Sequence, residues 1–538
     1  MERRRAVTTL QHYARSTRWL AIAPLAVVVL FVIWPSVALL SRGLTVEALG
    51  DLFGASTMRT TLWFTFWQAT ASTLFTLIVG LPAAGVLSRL EFRGRNLLRA
   101  VTLVPFVLPT LVVGLALTAV LPGSLDTGVI PLILAHVFLN IAVVVRIVGP
   151  HWESLPDTYG DAASTLGASP RQLFLTITWP LVRSSVVAAS GVVYLFCFTT
   201  YGAARVLAGP QHPVSETEIY RYAVLVGDLP RASAMAVAQL VLVGAVLLLT
   251  ARRSNRMSHS AQRRRLNDLR RSSRVAAITF AVVLVTLVCL PIAGMVLRSF
   301  RPAEGFSLAS WRAAFTNTTA GANALDALIA SLRIAIVATV VAVALGLVLA
   351  MTEAYTQSSF LRRLAGGLAA TPAMISAVVL GLGFILAFRT APTDWRGSWW
   401  LLPVAHAMVA LPLVSRTLAP ALQSIPNGYR EAATLLGASP GRVWRDIDAA
   451  LLRRPLAAAA SLSATISLGE FGASSLLSRR GNETMTMAMG RLLGRPGEIA
   501  QGQVFVLATM LAAMCVALTV VADTIAGDKR VRLNRARP

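Results

Sequence analysis

Apolar runs alternate with short polar, arginine-bearing connections from one end of this chain to the other. Each run holds about 20 residues, enough to cross a hydrocarbon layer roughly 30 Å thick as a helix. Spans are expected at 19–41, 60–88, 98–121, 129–149, 181–207 and 233–251, then at 275–298, 326–351, 364–388, 399–421, 456–477 and 502–524. Lipid offers no partner to a free backbone N–H or C=O, and the sequence lacks the short alternating strands of a membrane barrel. The expected fold class is therefore all-α: a polytopic membrane protein of about 12 transmembrane helices in two parallel six-helix repeats.

The repeat is explicit in the polar connections. DAASTLGASPRQLFLTITWPLV from Asp161 returns 270 residues later as EAATLLGASPGRVWRDIDAALL from Glu431, and the lead-ins SLPDTYG from Ser154 and SIPNGYR from Ser424 also match. At the same offset His136 and Arg146 pair with His406 and Arg416, Pro150 with Pro420, and Gly202 with Gly472. VPFVLPTLVVGL from Val104 aligns with TPAMISAVVLGL from Thr371 at an offset of 267, a three-residue length change between the third and fourth spans. An even number of spans per half puts both loops on one side of the membrane, so the repeat is parallel rather than inverted. The organisation read from this is a first six-span domain at 1–251 with its loop at 154–180, a basic linker at 252–274, and a second domain at 275–538 with its loop at 424–450.

Composition agrees with a membrane protein. Of 538 residues, 55% are hydrophobic and 14% charged, with mean hydropathy +0.66. The net charge of +25 is concentrated at Arg3–Arg5, Arg252–Arg274 and Lys529–Arg537, beside spans. That placement is the positive-inside signature and not a nucleic-acid footprint. It puts the N- and C-termini, the linker, the Arg89–Arg99 turn and both repeated loops in the cytoplasm. The apolar run from Trp19 to Leu40 reads as the first span and not as a cleaved signal, because it is long and no small-x-small site follows. Cys197, Cys289 and Cys515 lie inside apolar runs without metal-type spacing and read as small buried hydrophobes.

Each repeated loop reads as two short helices around a tight corner. The first helix runs from about Asp157 to Leu166, and Ala162 and Ala163 allow close approach by another surface. Gly167 sits where a left-handed cap is needed. Ser169 is an expected N-cap, Pro170 the first residue of the second helix and Gln172 the partner in a capping box. Leu173, Phe174 and Ile177 supply an apolar stripe, and Pro180 is expected to end the helix. Gly437, Ser439, Pro440, Val443, Trp444 and Ile447 repeat this, but Gly441 and Arg442 replace the capping-box positions, which leaves the second corner less well fixed. An interfacial helix lying on lipid needs apolar periodicity but no glycine corner kept twice.

Both loops resemble the Glu-Ala-Ala motif, with a glycine about four residues on, of permease subunits in binding-protein-dependent ABC importers. The resemblance covers nearly the whole chain, as two fused permease domains. It implies that Asp161, Ala162, Ala163 and Gly167 face one cytoplasmic ATPase subunit and Glu431, Ala432, Ala433 and Gly437 a second copy; the first loop departs by having Asp for Glu. It also implies an extracytoplasmic solute-binding protein as partner. The single lysine of the chain, Lys529, lies in GDKR, so no GxxxxGK[ST] phosphate loop is present. The chain is thus not an enzyme on its own. It needs no cofactor itself, and Mg-ATP belongs to the partner subunits.

Inside the spans, Glu470 in SLGEFGA is the foremost candidate for a solute path, since an intramembrane acid normally faces a cavity or a partner. Its counterpart is Thr200 in FTTYGAA, and Tyr201 matches Phe471; both rings are of a kind that stacks on a flat or cationic solute. The competing reading pairs Glu470 with Arg479 or Arg480 in an outer gate. The repeated His136 and His406 read as structural. FTFWQA from Phe64, LAHVFLN from Leu134, YLFCFTTYGAA from Tyr194 and TEIY at Thr217 are similar to thiamine permeases. Ferric-iron, sulfate and molybdate permeases are the alternatives of the same class. An ion-coupled twelve-span secondary transporter is the alternative of another class, and it has no evident use for paired loops.

Overall fold

The computed structural model describes residues 22–92, 94–156, 158–254, 267–268, 271–301, 305–316, 323–356, 358–389, 394–479 and 483–527. Arg3–Arg5, Asp157, most of the basic linker, Arg480 and Lys529–Arg537 lie outside these segments. The described chain is a succession of helices. Its only strand pairing there is the two-residue parallel match of Leu90–Glu91 with Asn267–Asp268.

Nine described helices are long and apolar enough to cross a membrane, or up to 11 if each of two bent pairs counts as one span. The remaining expected span corresponds to the Ala449–Gly469 helix, which carries Arg453 and Arg454 in its first two turns.

Four of the expected spans are interrupted. The third bends by 103° between Leu97–Val107 and Thr110–Thr118, and the ninth by 102° between Ser359–Met374 and Ala377–Ala387. At the first bend Pro109 lacks an N–H and forces Leu108 into an extended conformation, with ψ 139. At the second, Ile375 is extended and the Ser376 hydroxyl accepts from the Val379 N–H at 3.1 Å, capping a new helix. The fifth and eleventh spans break at the candidate path residues: Trp179–Phe198 gives way to Gly202–Leu207, and Ala449–Gly469 to Gly472–Leu477.

Pro180 does not end its helix. Pro170–Phe198 is one continuous 29-residue helix containing a π turn at Phe174–Thr178. The equivalent π turn at Trp444–Asp448 occurs where Ala450 replaces Pro180, so the wider turn belongs to the repeat and the proline is accommodated by it. Cys197 and Cys515 are buried as expected, but Cys289 is exposed on its helix. Its apolar run has a face that the protein does not cover, and a thiol sits there as readily as a methyl.

Two compact units emerge. One contains Val46–Tyr222 and Ala234–Ser307; the other contains the described parts of Met1–Thr45, Ala223–Ser233 and Leu308–Pro538. The opening helix of each half thus belongs to the unit built mostly from the other half. Within the second unit Phe31 packs among Phe384, Phe388, Trp395 and Trp400, with ring centroids 5.7 to 6.3 Å away. Within the first, the Arg271–Ser299 helix lies on Arg95–Val107 and Thr110–Thr118.

The two units are built by the same packing rule. Without a hydrophobic drive between helices in lipid, close approach depends on small residues. A Cβ at Gly80 would come within 2.8 Å of Val144, and one at Gly346 within 2.5 Å of Val414. These contacts are repeats of each other, and each locks the long second helix of its half, Ser56–Arg89 or Ala324–Tyr355, onto Val129–Glu153 or Leu401–Gln423. Buried hydroxyls satisfy themselves locally: Thr65, Thr73 and Thr76 each donate to the carbonyl four residues earlier, at 2.7 Å.

Candidate functional site

The loops form two closely similar corners. Thr158–Thr165 and Asn427–Leu435 are the first helices. The N–H of Ala168 donates to Ala163 O, and that of Gly167 to Ser164 O, both at 3.0 Å. Ala438 to Ala433 and Gly437 to Thr434 repeat those bonds, also at 3.0 Å. This is the Schellman arrangement, which requires a left-handed residue after the helix. Gly167 has φ +77 and Gly437 φ +82. On the far side of the first corner Gln172 N–H donates to Ser169 Oγ at 3.3 Å and Ser169 N–H to Gln172 Oε1 at 2.8 Å, completing the capping box. Ser439 makes no such cap.

Asp161, Ala162 and Gly167 are exposed, as are Glu431, Ala432 and Gly437. Ala163 is buried and Ala433 half-buried, so one alanine of each pair faces outward and the other seats the loop on its own body. The most exposed apolar groups on the loops were not singled out by the sequence reading: Leu166 is 87% exposed and Leu436 89%, with Tyr159 and Tyr429 also in the open. The available signal was their recurrence at the same step of the repeat.

The loops are tied down differently. In the first unit Glu153, at the end of the helix leading into the loop, accepts from Arg95 at 3.0 Å and from Arg99 at 2.9 Å, while both arginines also donate to Leu87 O. In the second, the buried Arg430 on the loop helix donates through Nε to Asp448 Oδ1 at 2.9 Å, through Nη1 to Asn427 Oδ1 at 2.9 Å, and through Nη2 to the Tyr355 hydroxyl at 3.3 Å.

At the span breaks the halves diverge. Glu470 is half-buried, and its Oε1 accepts the Ala473 N–H at 3.0 Å, capping Gly472–Leu477. Its carbonyl accepts from the hydroxyls of Ser474 and Thr486. Among the described residues it makes no ion pair: Arg479 donates instead to Arg396 O, and Arg480 lies outside them. Phe471 is buried against Gly490, where a Cβ would meet its ring at 2.7 Å. In the first half the hydroxyl of Thr200 is buried, and Tyr201 packs on Tyr220 with ring centroids 5.7 Å apart. Tyr220 and Gly490 are repeat equivalents, so a ring in one half stands where the other has none.

His406 bridges the eleventh-span break, with Nδ1 2.9 Å from Ser467 Oγ and Nε2 3.0 Å from Ser474 Oγ. His136 bonds Ser72 Oγ through Nδ1 at 2.9 Å. Both rings are part of the packing. Among the described residues no three His, Cys, Asp or Glu side chains gather as a metal site requires.

The family described as binding-protein-dependent transport system inner membrane component matches residues 76–302 and 342–531. A thiamine transport system permease protein of Brucella suis is 28% identical over 90% of this chain and 92% of its own length. The one from Escherichia coli is 25% identical over 86% and 88%, and a probable ABC transporter permease protein of Sinorhizobium fredii is 25% identical over 95% and 98%. Glycine corners kept twice on a two-unit helical membrane body and a family match in each half lead to one conclusion: this chain belongs to the binding-protein-dependent transport system inner membrane components, as a fused two-domain permease of an ABC importer.

Proposed function

We propose that the solute is thiamine or a closely similar flat cation, delivered by an extracytoplasmic binding protein and driven across by two copies of a cytoplasmic ABC ATPase. The solute reading rests on similarity to thiamine permeases over most of the chain, together with an acid that makes no ion pair among the described residues and aromatic residues at the span breaks. The two-ATPase reading is carried by one observation: the same Schellman corner with the same outward leucine occurs twice, which is what two equivalent docking points would require. Asp161, Ala162 and Gly167 meet one ATPase, and Glu431, Ala432 and Gly437 the other. Ala163 and Ala433 act from beneath, by seating the loops.

The N- and C-termini and both loops face the cytoplasm. Closure of the ATPases on Mg-ATP, which they alone bind, draws the loops together and favours the outward-open state; hydrolysis restores the inward-open one. The loops act as a coupling device because their partners bind the two states with different affinity. Glu470, Phe471, Thr200 and Tyr201 line or gate the path at the span breaks.

The test is uptake of labelled thiamine by proteoliposomes holding this chain with its ATPase and binding protein. ATP-dependent uptake, competed by unlabelled thiamine and not by molybdate, sulfate or ferric iron, supports the reading. Uptake of one of those ions instead of thiamine overturns the solute assignment, and uptake without any ATPase overturns the coupling scheme.

A further inference from the structure

The two loops share a corner but not an anchorage. Arg430 occupies the first helix of the second loop, next to Glu431, and is buried with Asp448. Its guanidinium spends its donors on three side chains from three places: Asn427 in the same helix, Tyr355 at the end of the Ala324–Tyr355 helix, and Asp448 in the π turn that leads into Ala449–Gly469. A planar fork bound to several fixed acceptors sets orientation as well as distance. In the first loop the equivalent positions are Gly160 and Thr178, neither of which carries a charge. An added Cβ at Gly160 would find only Leu173, at 4.0 Å.

Asp448 is the residue immediately before the Ala449–Gly469 helix, and Glu470 is the residue immediately after it. That helix is a rod of roughly 30 Å at the standard rise. Resting on the coupling role given above, we propose that Arg430 is a positioning residue that locks the second coupling helix to this rod, so that movement of the loop is delivered to the break at Glu470. The first loop carries no charge at the two positions equivalent to Arg430 and Asp448, and the helix leading into it is held instead through Glu153 by Arg95 and Arg99. The two ATPase docking points are therefore anchored through different side chains.

The experiment uses the whole complex in proteoliposomes and reads the ratio of ATP hydrolysis with and without thiamine-loaded binding protein. Arg430→Met with Asp448→Leu removes both charges together and avoids a stranded buried acid, an exchange that commonly leaves stability unchanged or raised. The expected result is a double variant with an unlowered Tm that still co-purifies with the ATPase, yet whose stimulation falls about tenfold, within the usual range of coupling effects. Arg430→Lys, which keeps a charge for Asp448 but loses the fork to Asn427 and Tyr355, gives an intermediate ratio. Stimulation equal to the parent in the double variant overturns the inference, because a purely structural pair is replaceable by apolar packing. Should Arg430→Met alone fail to fold, the double variant still decides. An unaltered chain that co-purifies with no ATPase would sink the coupling reading itself, and this inference with it.

Discussion

Replacing the corner glycines isolates backbone geometry from every other contribution. At Gly167 and Gly437 an added Cβ meets no atom within 4 Å, so no clash is introduced in the free protein. What remains is the conformational penalty of an L residue at φ +77 or +82, about 1–2 kcal/mol for alanine and more for a β-branched side chain. Since 1.4 kcal/mol is tenfold in population, alanine should reduce the fraction of loops holding the Schellman corner by about 5- to 30-fold relative to glycine. Asparagine, which visits the left-handed region far more readily, should lose much less. The expected order of ATP-dependent thiamine uptake is Gly, then Asn, then Ala, then Val, at each corner. Membrane insertion and Tm should stay nearly constant, because the loops are exposed. Gly437 should be the more sensitive, since Ser439 makes no cap to hold the far side of that corner. If valine and asparagine behave alike, or if both corners accept valine without loss, the left-handed geometry is not what the loops contribute.

Three further outcomes are expected. Leu166→Asp and Leu436→Asp should leave folding intact and cut co-purification of the ATPase, each by an amount consistent with a buried leucine worth about 1.5–3 kcal/mol; undiminished co-purification in the paired variant refutes docking at these residues. Gly80→Val and Gly346→Val should lower thermal stability by about 1–3 kcal/mol or prevent assembly, because the added carbons enter the space of Val144 and Val414; an unshifted melting curve in detergent would show the helices free to separate. Glu470→Gln keeps an acceptor for the Ala473 N–H but removes the charge, so the fold should survive while uptake of cationic thiamine falls at least about tenfold, the effect of roughly 1.4 kcal/mol; full uptake would confine Glu470 to capping.

The helical class and the loop corners were legible because each has a local cause. Glycine before a cap and Ser-Pro-x-Gln after it act over a few residues, and the structure has the glycine at both corners and the capping box at the first. The interruptions were harder to see. Pro109 marks one bend, but its repeat equivalent is Ser376, so the matching bend has no proline at that position. The breaks at Thr200 and Glu470 follow from glycines that must approach another helix: a Cβ at Gly202 would meet Thr110 Oγ1 at 2.4 Å, and one at Gly472 would meet Val378 Cγ2 at 2.9 Å. Such contacts are long-range and leave no local mark. The Arg430–Asp448 pair did leave one. Both residues depart from the repeat, at positions 18 apart, with opposite charge. Reading departures from a repeat in complementary pairs would have found it.

The exchange of opening helices bears on why the halves share one polypeptide. A fragment ending at residue 251 would own the helix around Phe31 without the aromatic residues that enclose it, and would lack the Arg271–Ser299 helix that covers its own third span. Neither fragment holds by itself all the contacts that its helices make here. Synthesis as a single strand guarantees one of each, in register, at the moment of insertion. The fusion therefore works as an assembly ratio written into the gene.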